Sequence, residues 1–188
     1  MKKTRRRQRD NDGESEEKLV IAAKQSPQAF VVIYDRYVHQ IYHYFLSHVG
    51  NSIEAQDLTS QVFLNALDGL NAYQHRGHFA AWLFTIARHQ WVDYHRRDHK
   101  ELPIEMVIDL PSKDNLTLKV LDREEIQMIR RAVSELPEED QELIRLRFVA
   151  QLKFAEIAVI LGCKEEAAKK RIYRLLARLE NEMEAHNE

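Results

Sequence analysis

Two stretches of the chain carry residue types at spacings that suit chemistry, and in both the chemistry is recognition of a polyanion. Over residues 79–99, a helical wheel at about 100° per residue gathers Phe79, Trp82, Leu83, Ile86, Ala87, Trp91 and Tyr94 on one side. Thr85, Arg88, His89, Val92, His95, Arg96 and His99 fall on the other. One side packs; the other is cationic or hydrogen-bonding, either as an ordinary solvated face or as a reader of phosphates and bases. The preceding loop holds Tyr73, His75, Arg76 and His78, and planar side chains among cations suit the stacking of unpaired bases. In the second stretch Lys164, Lys169, Lys170, Arg171, Arg174 and Arg178 outnumber Glu165 and Glu166 by six to two. It follows a short helix and a glycine turn, the connectivity that delivers a recognition helix to a major groove. Helix hairpins with a basic flank also occur in proteins that never touch DNA.

Other constellations point to less. Eight of the nine histidines lie in the first hundred residues, with His39/His43 and His95/His99 at the i, i+4 spacing that can bind a metal on a helix. No cysteine or carboxylate completes a set, so these read as surface or DNA-facing histidines, and no metal or cofactor is expected. Cys163, the single cysteine, rules out an internal disulfide and reads as a small buried filler in its turn. There is no nucleophile–base arrangement, no phosphate-cradling glycine loop and no HExxH, so no catalysis is expected.

The elements that must position these residues are helical. Ser26-Pro27 is a helix start, followed at three- and four-residue spacing by Phe30, Ile33, Tyr34, Tyr37, Ile41, Tyr44 and Phe45. Ser52 can cap the next helix, whose apolar candidates are Leu58, Val62, Leu64 and Leu67, with Phe63 on another face. Helical pattern begins already at Glu16, and Gly69 and the run 74–77 break the period before a fourth helix from about Phe79 to Arg97. Residues 101–118 then change character: two prolines, no helical period, and four acids against one lysine. Fully extended, this linker reaches roughly 60 Å at about 3.3 Å per residue, enough to separate two modules. Helix resumes near Lys119. Pro137 restarts it at its first position with carboxylates in the first turn, and Phe154 to Leu161, the turn 162–164 and a helix from Glu165 to about Met183 complete a helix-turn-helix.

The expected fold is therefore all-α: two small helical domains joined by an extended acidic linker, the second containing a helix-turn-helix. The boundaries are a disordered basic tail at 1–15, a first domain at 16–100, the linker at 101–118 and a second domain at 119–188. With 5 Gly and 4 Pro in 188 residues, a chain of many tight β-turns is disfavoured. The basic start runs into acids at Asp10 to Glu17 rather than an apolar segment, so no secretory signal is expected. No apolar run approaches the ~20 residues of a membrane helix, and the cytoplasm is the expected location. The net charge of −2 averages opposite halves: 14 basic and 11 acidic side chains up to residue 100, then 14 and 19. The bases concentrate in the tail, on the 88–97 face and over 164–178, which is a pattern that suits DNA despite the slightly negative total.

Four segments in order carry a resemblance to a known family: AFVVIYDRYVHQIYHYF (29–45), EAQDLTSQVFLNAL (54–67), FAAWLFTIARHQWVDYHRR (79–97), and LPEEDQELIRLRFV (136–149) with FAEIAVILGC (154–163). Together they resemble the extracytoplasmic-function sigma factors, the minimal two-domain group of the sigma-70 family of RNA polymerase initiation factors. The resemblance runs from about Glu17 to Glu182.

The resemblance implies binding to core RNA polymerase through Asp57, Leu58, Gln61 and Phe63. It implies melting and reading of the minus-ten promoter element by His75, Arg76, His78, Arg88, His89, Arg96 and Arg97, with a base flipped out and captured. It assigns the minus-thirty-five element to Lys169, Lys170, Arg171 and Arg174. The partners implied are core polymerase, promoter DNA as duplex and melted strand, and an anti-sigma factor, with no membrane insertion. The sequence departs from the family pattern at Ser60-Gln61, where Gln-Glu is usual, at Leu67 in place of a common Trp, at His89 in place of Asn, and at Glu166-Ala167-Ala168 in place of Gly-Thr-Val. Two alternatives stand beside this reading: a sigma-like decoy that sequesters an anti-sigma factor, and a stand-alone helix-turn-helix regulator.

Overall fold

The computed structural model describes residues 16–74, 77–98 and 123–186, and among them it contains helices and turns but no strand. The first unit comprises α1 (residues 16–25), α2 (Pro27–Val49), α3 (Ser52–Gly69) and α4 (Phe79–Asp98). Pro27 opens α2, where its missing N–H is one that has no helical partner anyway. Phe30, Ile33, Tyr37, Ile41, Tyr44 and Phe45 are buried along one side of α2, whereas Tyr34, expected among them, is 41% exposed. Gly50 ends the helix at φ 64°, a left-handed conformation that glycine adopts without a Cβ penalty, and its N–H donates to Leu46 O at 2.9 Å.

Asn51, not Ser52, caps α3. Its Oδ1 accepts from the backbone N–H groups of Ile53 (2.8 Å) and Glu54 (3.3 Å), satisfying two donors that the helix leaves open. The buried side of α3 is Ala55, Leu58, Thr59, Val62, Phe63 and Ala66. Leu64 and Leu67 are turned outward, 57% and 44% exposed, which corrects the expected apolar face. On α4 the expected division holds: Phe79, Leu83 and Ala87 are fully buried, with Phe84 beside them, and Trp82, Ile86, Trp91 and Tyr94 pack at the edge of the core.

The second unit comprises α5 (Arg123–Ser134), α6 (Glu138–Ile144), α7 (Phe154–Leu161) and α8 (Glu165–His186). Pro137 precedes α6 as its cap rather than opening its first turn, and its carbonyl accepts from Asp140 N (2.8 Å) and Gln141 N (3.0 Å). α6 runs on through one π turn, Arg145–Val149, and the chain reverses at Gln151 with φ 57°. Gly162, at φ 64°, closes α7. Cys163 is exposed in that turn, not the buried filler expected. Ala168, Ile172, Leu175 and Leu179 form the buried stripe of α8.

The two units are in contact: α2 packs against the π turn and α4 against α7. The expected tail at 1–15 and linker at 101–118 lie outside the described residues.

Candidate nucleic-acid interface

Three contacts from distant parts of the chain fix α4. At its N-terminus the Glu16 carboxylate accepts from Phe79 N at 3.4 Å and from the Tyr37 hydroxyl, where a negative charge meets the positive end of the helix dipole. Farther along, the Tyr94 hydroxyl donates to Glu54 Oε2 at 2.5 Å, tying α4 to α3. Trp91 stacks on His48 of α2 with ring centroids 4.2 Å apart. These contacts set the rotation of α4, so Arg88 stands half-buried, His89 and Arg96 are exposed on the side away from the core, and Arg97 is exposed at the helix end. Arg96 pairs with Asp93 at 3.3 Å, both well exposed, a pair too weakly held to withdraw the guanidinium from a phosphate. His78 lies half-buried just before α4; His75, Arg76 and His99 lie outside the described residues. The aromatic cluster of Tyr73, Phe79 and Trp82, with Tyr73 and Trp82 rings 4.7 Å apart, anchors that loop to the helix start. Lys24 Nζ donates to Tyr73 O at 2.6 Å and holds it from the other side.

On α3 the sequence expectation divides. Asp57 and Gln61 are exposed, but Leu58 and Phe63 are 6% and 5% exposed, the latter ring lying 4.7 Å from that of Tyr34. These two are core residues that hold α3 against α2, and a rigid partner cannot reach them. The accessible apolar residues on the two helices are instead Ile53, Leu64, Leu67, Val31, Val32 and Tyr34. The signal in the sequence was the spacing of Ala55, Leu58, Thr59, Val62 and Ala66, which puts Leu64 diametrically opposite the buried side.

On α8, Lys170 and Arg174 are exposed and Lys169 half-buried. Arg171 is engaged: its Nε lies 2.6 Å from Asp140 Oδ1 and its Nη2 3.1 Å from Glu139 Oε2. Partial burial works against the charge on Arg171, but the two carboxylates outweigh it and raise its pKa. Arg171 thus braces α8 against α6.

One cleft of about 870 Å³ between the two units is lined among others by Arg88, Trp91, Arg96, Glu138, Glu139 and Arg174, while Lys169, Lys170 and His89 lie outside it. At its base Glu142 is buried. Its Oε1 accepts from the Tyr44 hydroxyl at 2.8 Å, and His48 Nε2 lies 3.2 Å from its Oε2. Burial pushes the His48 pKa down to about 4, with Arg145 adding to the effect, so this imidazole is neutral near pH 7. Burial by itself would raise the Glu142 pKa, but the His48 and Tyr44 contacts and nearby Arg145 prevail and lower it. No signal in the sequence linked these residues. Among the described residues no three His, Cys, Asp or Glu side chains are grouped to hold a metal, and no helix is long and apolar enough to cross a membrane.

Residues 33–101 match the family Sigma-70 region 2, and residues 126–179 match Sigma-70, region 4. The chain belongs to the sigma-70 family. Its relatives place it among the ECF sigma factors, as the four segments implied. It is 35% identical over 158 residues to the ECF RNA polymerase sigma factor BldN of Streptomyces coelicolor, a match covering 80% of this chain and 60% of that protein. It is 29% identical to the RNA polymerase sigma factor YlaC of Bacillus subtilis, covering 79% and 87%. Among solved structures, CnrH in complex with the cytosolic domain of CnrY superposes with a TM-score of 0.62 at 19% identity, covering 89% of this chain and 96% of that one. The sigma factor RpoE in complex with the anti-sigma factor NepR from Bartonella quintana gives 0.61 at 22%, covering 82% and 96%. These two show that the sigma-70 helical fold is shared. In this frame α3 and α4 belong to region 2, and α7 and α8 to region 4.

Proposed function

We propose that the protein binds core RNA polymerase and directs it to promoters, with region 2 at 16–100 and region 4 at 119–188. The polymerase surface is the outer side of α3, where Asp57 and Gln61 sit with Leu64 and Leu67, over a floor of Leu58 and Phe63. The minus-ten element is melted and read by Arg88, His89, Arg96 and Arg97 together with the loop carrying His75, Arg76 and His78. The minus-thirty-five element is read by Lys169, Lys170 and Arg174, and Arg171 holds that helix in place. Phosphate contacts from these cations supply affinity, and stacking of unpaired bases near Tyr73 and Trp82 supports strand separation.

The observation that carries this reading is α4. It buries an aromatic side in its own core and presents Arg88, His89 and Arg96 away from it, in a chain whose two family matches stand in region order. The chemistry of RNA synthesis belongs to the polymerase; this chain contributes binding, strand opening and sequence choice, acts in the cytoplasm, and is held in check by an anti-sigma factor. In-vitro transcription with core enzyme over a promoter library is the test. Discrete start sites dependent on the protein are expected. Polymerase binding without initiation from any promoter would favour a decoy, and tight duplex binding with no polymerase requirement would favour a stand-alone regulator.

A further inference from the structure

We propose that Glu166 is a specificity-determining residue of α8: its carboxylate accepts a hydrogen bond from the exocyclic amino group of a cytosine in the minus-thirty-five element, and so selects one base pair. The inference rests on the reading of α8 as the helix that enters the major groove there.

The run Glu166-Ala167-Ala168 lies in the first turn of α8, and its three side chains go different ways. Ala168 joins Ile172, Leu175 and Leu179 in the buried stripe, at 2% exposure, while Glu166 and Ala167 are exposed. At about 100° per residue, Glu166 stands roughly 150° from the centre of that stripe, whereas Glu165 stands only about 50° from it. Glu166 thus points out of the domain and Glu165 leans toward its side. By the same spacing Lys169 lies to one side of Glu166, and Lys170 and Arg174 lie to the other. Two contacts hold this outward line in a fixed direction. Arg171 is anchored on Asp140 and Glu139 of α6, and Tyr173, 55% exposed, rests against Phe154 of α7 with ring centroids 6.1 Å apart. The arginines of α8 that form ion pairs take other carboxylates, Arg171 those of α6 and Arg178 that of Glu182 at 2.7 Å. Among the described residues none pairs with Glu166.

An ionised carboxylate can only accept hydrogen bonds. On the major-groove edges guanine offers N7 and O6 and thymine offers O4, all acceptors, and adenine sets its N7 acceptor beside its N6 amino group. Cytosine offers its N4 amino group with no acceptor beside it on its own base. A carboxylate aimed at the floor of the groove is therefore best answered by cytosine and repelled by the lone pairs of the others. The phosphates repel it at every site, so Glu166 lowers affinity generally and lowers it least where a cytosine amino group meets it. Selectivity built from penalties on the wrong partners needs a group of this kind. Placement along the helix agrees, since the N-terminal residues of a recognition helix are the ones that reach base edges, and Glu166 is the second residue of α8. Lys169, Lys170 and Arg174 around it supply phosphate contacts, which hold the helix in the groove without carrying sequence information.

The test uses holoenzyme assembled from core RNA polymerase and the full chain, as wild type, Glu166→Ala and Glu166→Gln, each checked for helicity by circular dichroism. Promoter duplexes randomised across the minus-thirty-five element are bound, recovered and sequenced, and Kd is measured for single-base substitutions of the preferred site. Wild type should require cytosine at one position, where a change from C·G to T·A weakens binding about tenfold. Glu166→Ala should abolish the preference at that position alone and bind the T·A duplex more tightly than wild type does. Glu166→Gln should move the preference toward adenine, whose N6 and N7 suit an amide, and it decides the matter if Glu166→Ala loses helicity. Preferences unchanged at every position in the variants overturn the assignment. A uniform gain in affinity with the cytosine preference intact also overturns it, leaving Glu166 a repelling charge and no more. Wild-type holoenzyme with no base preference anywhere in the element overturns the minus-thirty-five reading of α8 itself.

Discussion

Lowering the pH from 7 to 5 should loosen the protein, chiefly through His48. Burial holds its pKa near 4, against an ordinary value of 6.5. For a base whose pKa is depressed in the folded state, the unfolded or opened form takes up the proton first, so stability is intact above pH 6.5 and declines as the pH falls from 6.5 toward 4. Working the linkage for those two values, the unfolded form gains about a factor of 1.3 from protonation at pH 7. At pH 5 it gains about 30 against about 1.1 for the folded form, a net loss of about 2 kcal/mol, roughly twentyfold in the equilibrium. Glu142 has a lowered pKa and adds a loss of the same sign only below the usual carboxylate range, which leaves pH 5–7 to the histidines. His43, also lowered by burial, contributes in the same window, so the informative quantity is a difference. Urea unfolding of the wild type and of His48→Asn at pH 7 and pH 5 should show the wild type losing about 2 kcal/mol more than the variant. Resolved imidazole resonances should show one histidine that stays neutral to about pH 5. A His48 resonance titrating near 6.5 in the folded protein, or equal losses in both proteins, would refute the reasoning.

Three further outcomes follow from the placement of individual side chains. Leu58→Ala or Phe63→Ala should cost about 2–5 kcal/mol of stability, whereas Leu64→Ala and Leu67→Ala should leave thermal unfolding within about 0.5 kcal/mol of wild type and weaken core-polymerase binding about fivefold or more; a polymerase pull-down paired with calorimetry separates the two classes. Arg171→Ala should lower the stability of region 4 by about 1 kcal/mol, since Arg171 and Glu139 are exposed to water and only Asp140 is largely shielded, while Lys170→Ala should leave stability alone and reduce the salt slope of duplex binding by about one unit. Replacing Arg96 and Arg97 together with Ala should lower the salt slope of single-strand binding by about two units and slow promoter opening, and an unchanged slope would remove both from the interface.

How much was legible in the sequence differs from helix to helix. On α4 the aromatic side is continuous and of large residues, so the wheel alone separated Phe79, Leu83 and Ala87 from Arg88, His89 and Arg96, and the fold bears the division out. On α3 it misled, because the buried side is built partly from Ala55, Thr59 and Ala66, small residues that carry little hydropathy weight, while the bulkier Leu64 and Leu67 face out. Large exposed leucines mimic a core when read by type, and only the packing of α3 on α2 showed which side is covered. A cap is similarly ambiguous: Asn51 and Ser52 are equally good by residue type, and the backbone chose Asn51 by placing its Oδ1 over two open N–H groups.

Local periodicity, turn residues and charge clustering are properties of neighbours in the chain. The sequence by itself therefore settled the all-α class, the helix-turn-helix, the cationic side of α4 and, through four ordered segments, the sigma-70 family. What Arg171 does could not be read that way, since its partners Glu139 and Asp140 lie more than thirty positions upstream and the sequence offered only another cation on a basic helix. Nor could the meeting of Tyr44, His48 and Glu142, which no repeat or motif couples. A buried carboxylate finds its partners by three-dimensional proximity, and that proximity exists only once α2, α4 and α6 are packed together.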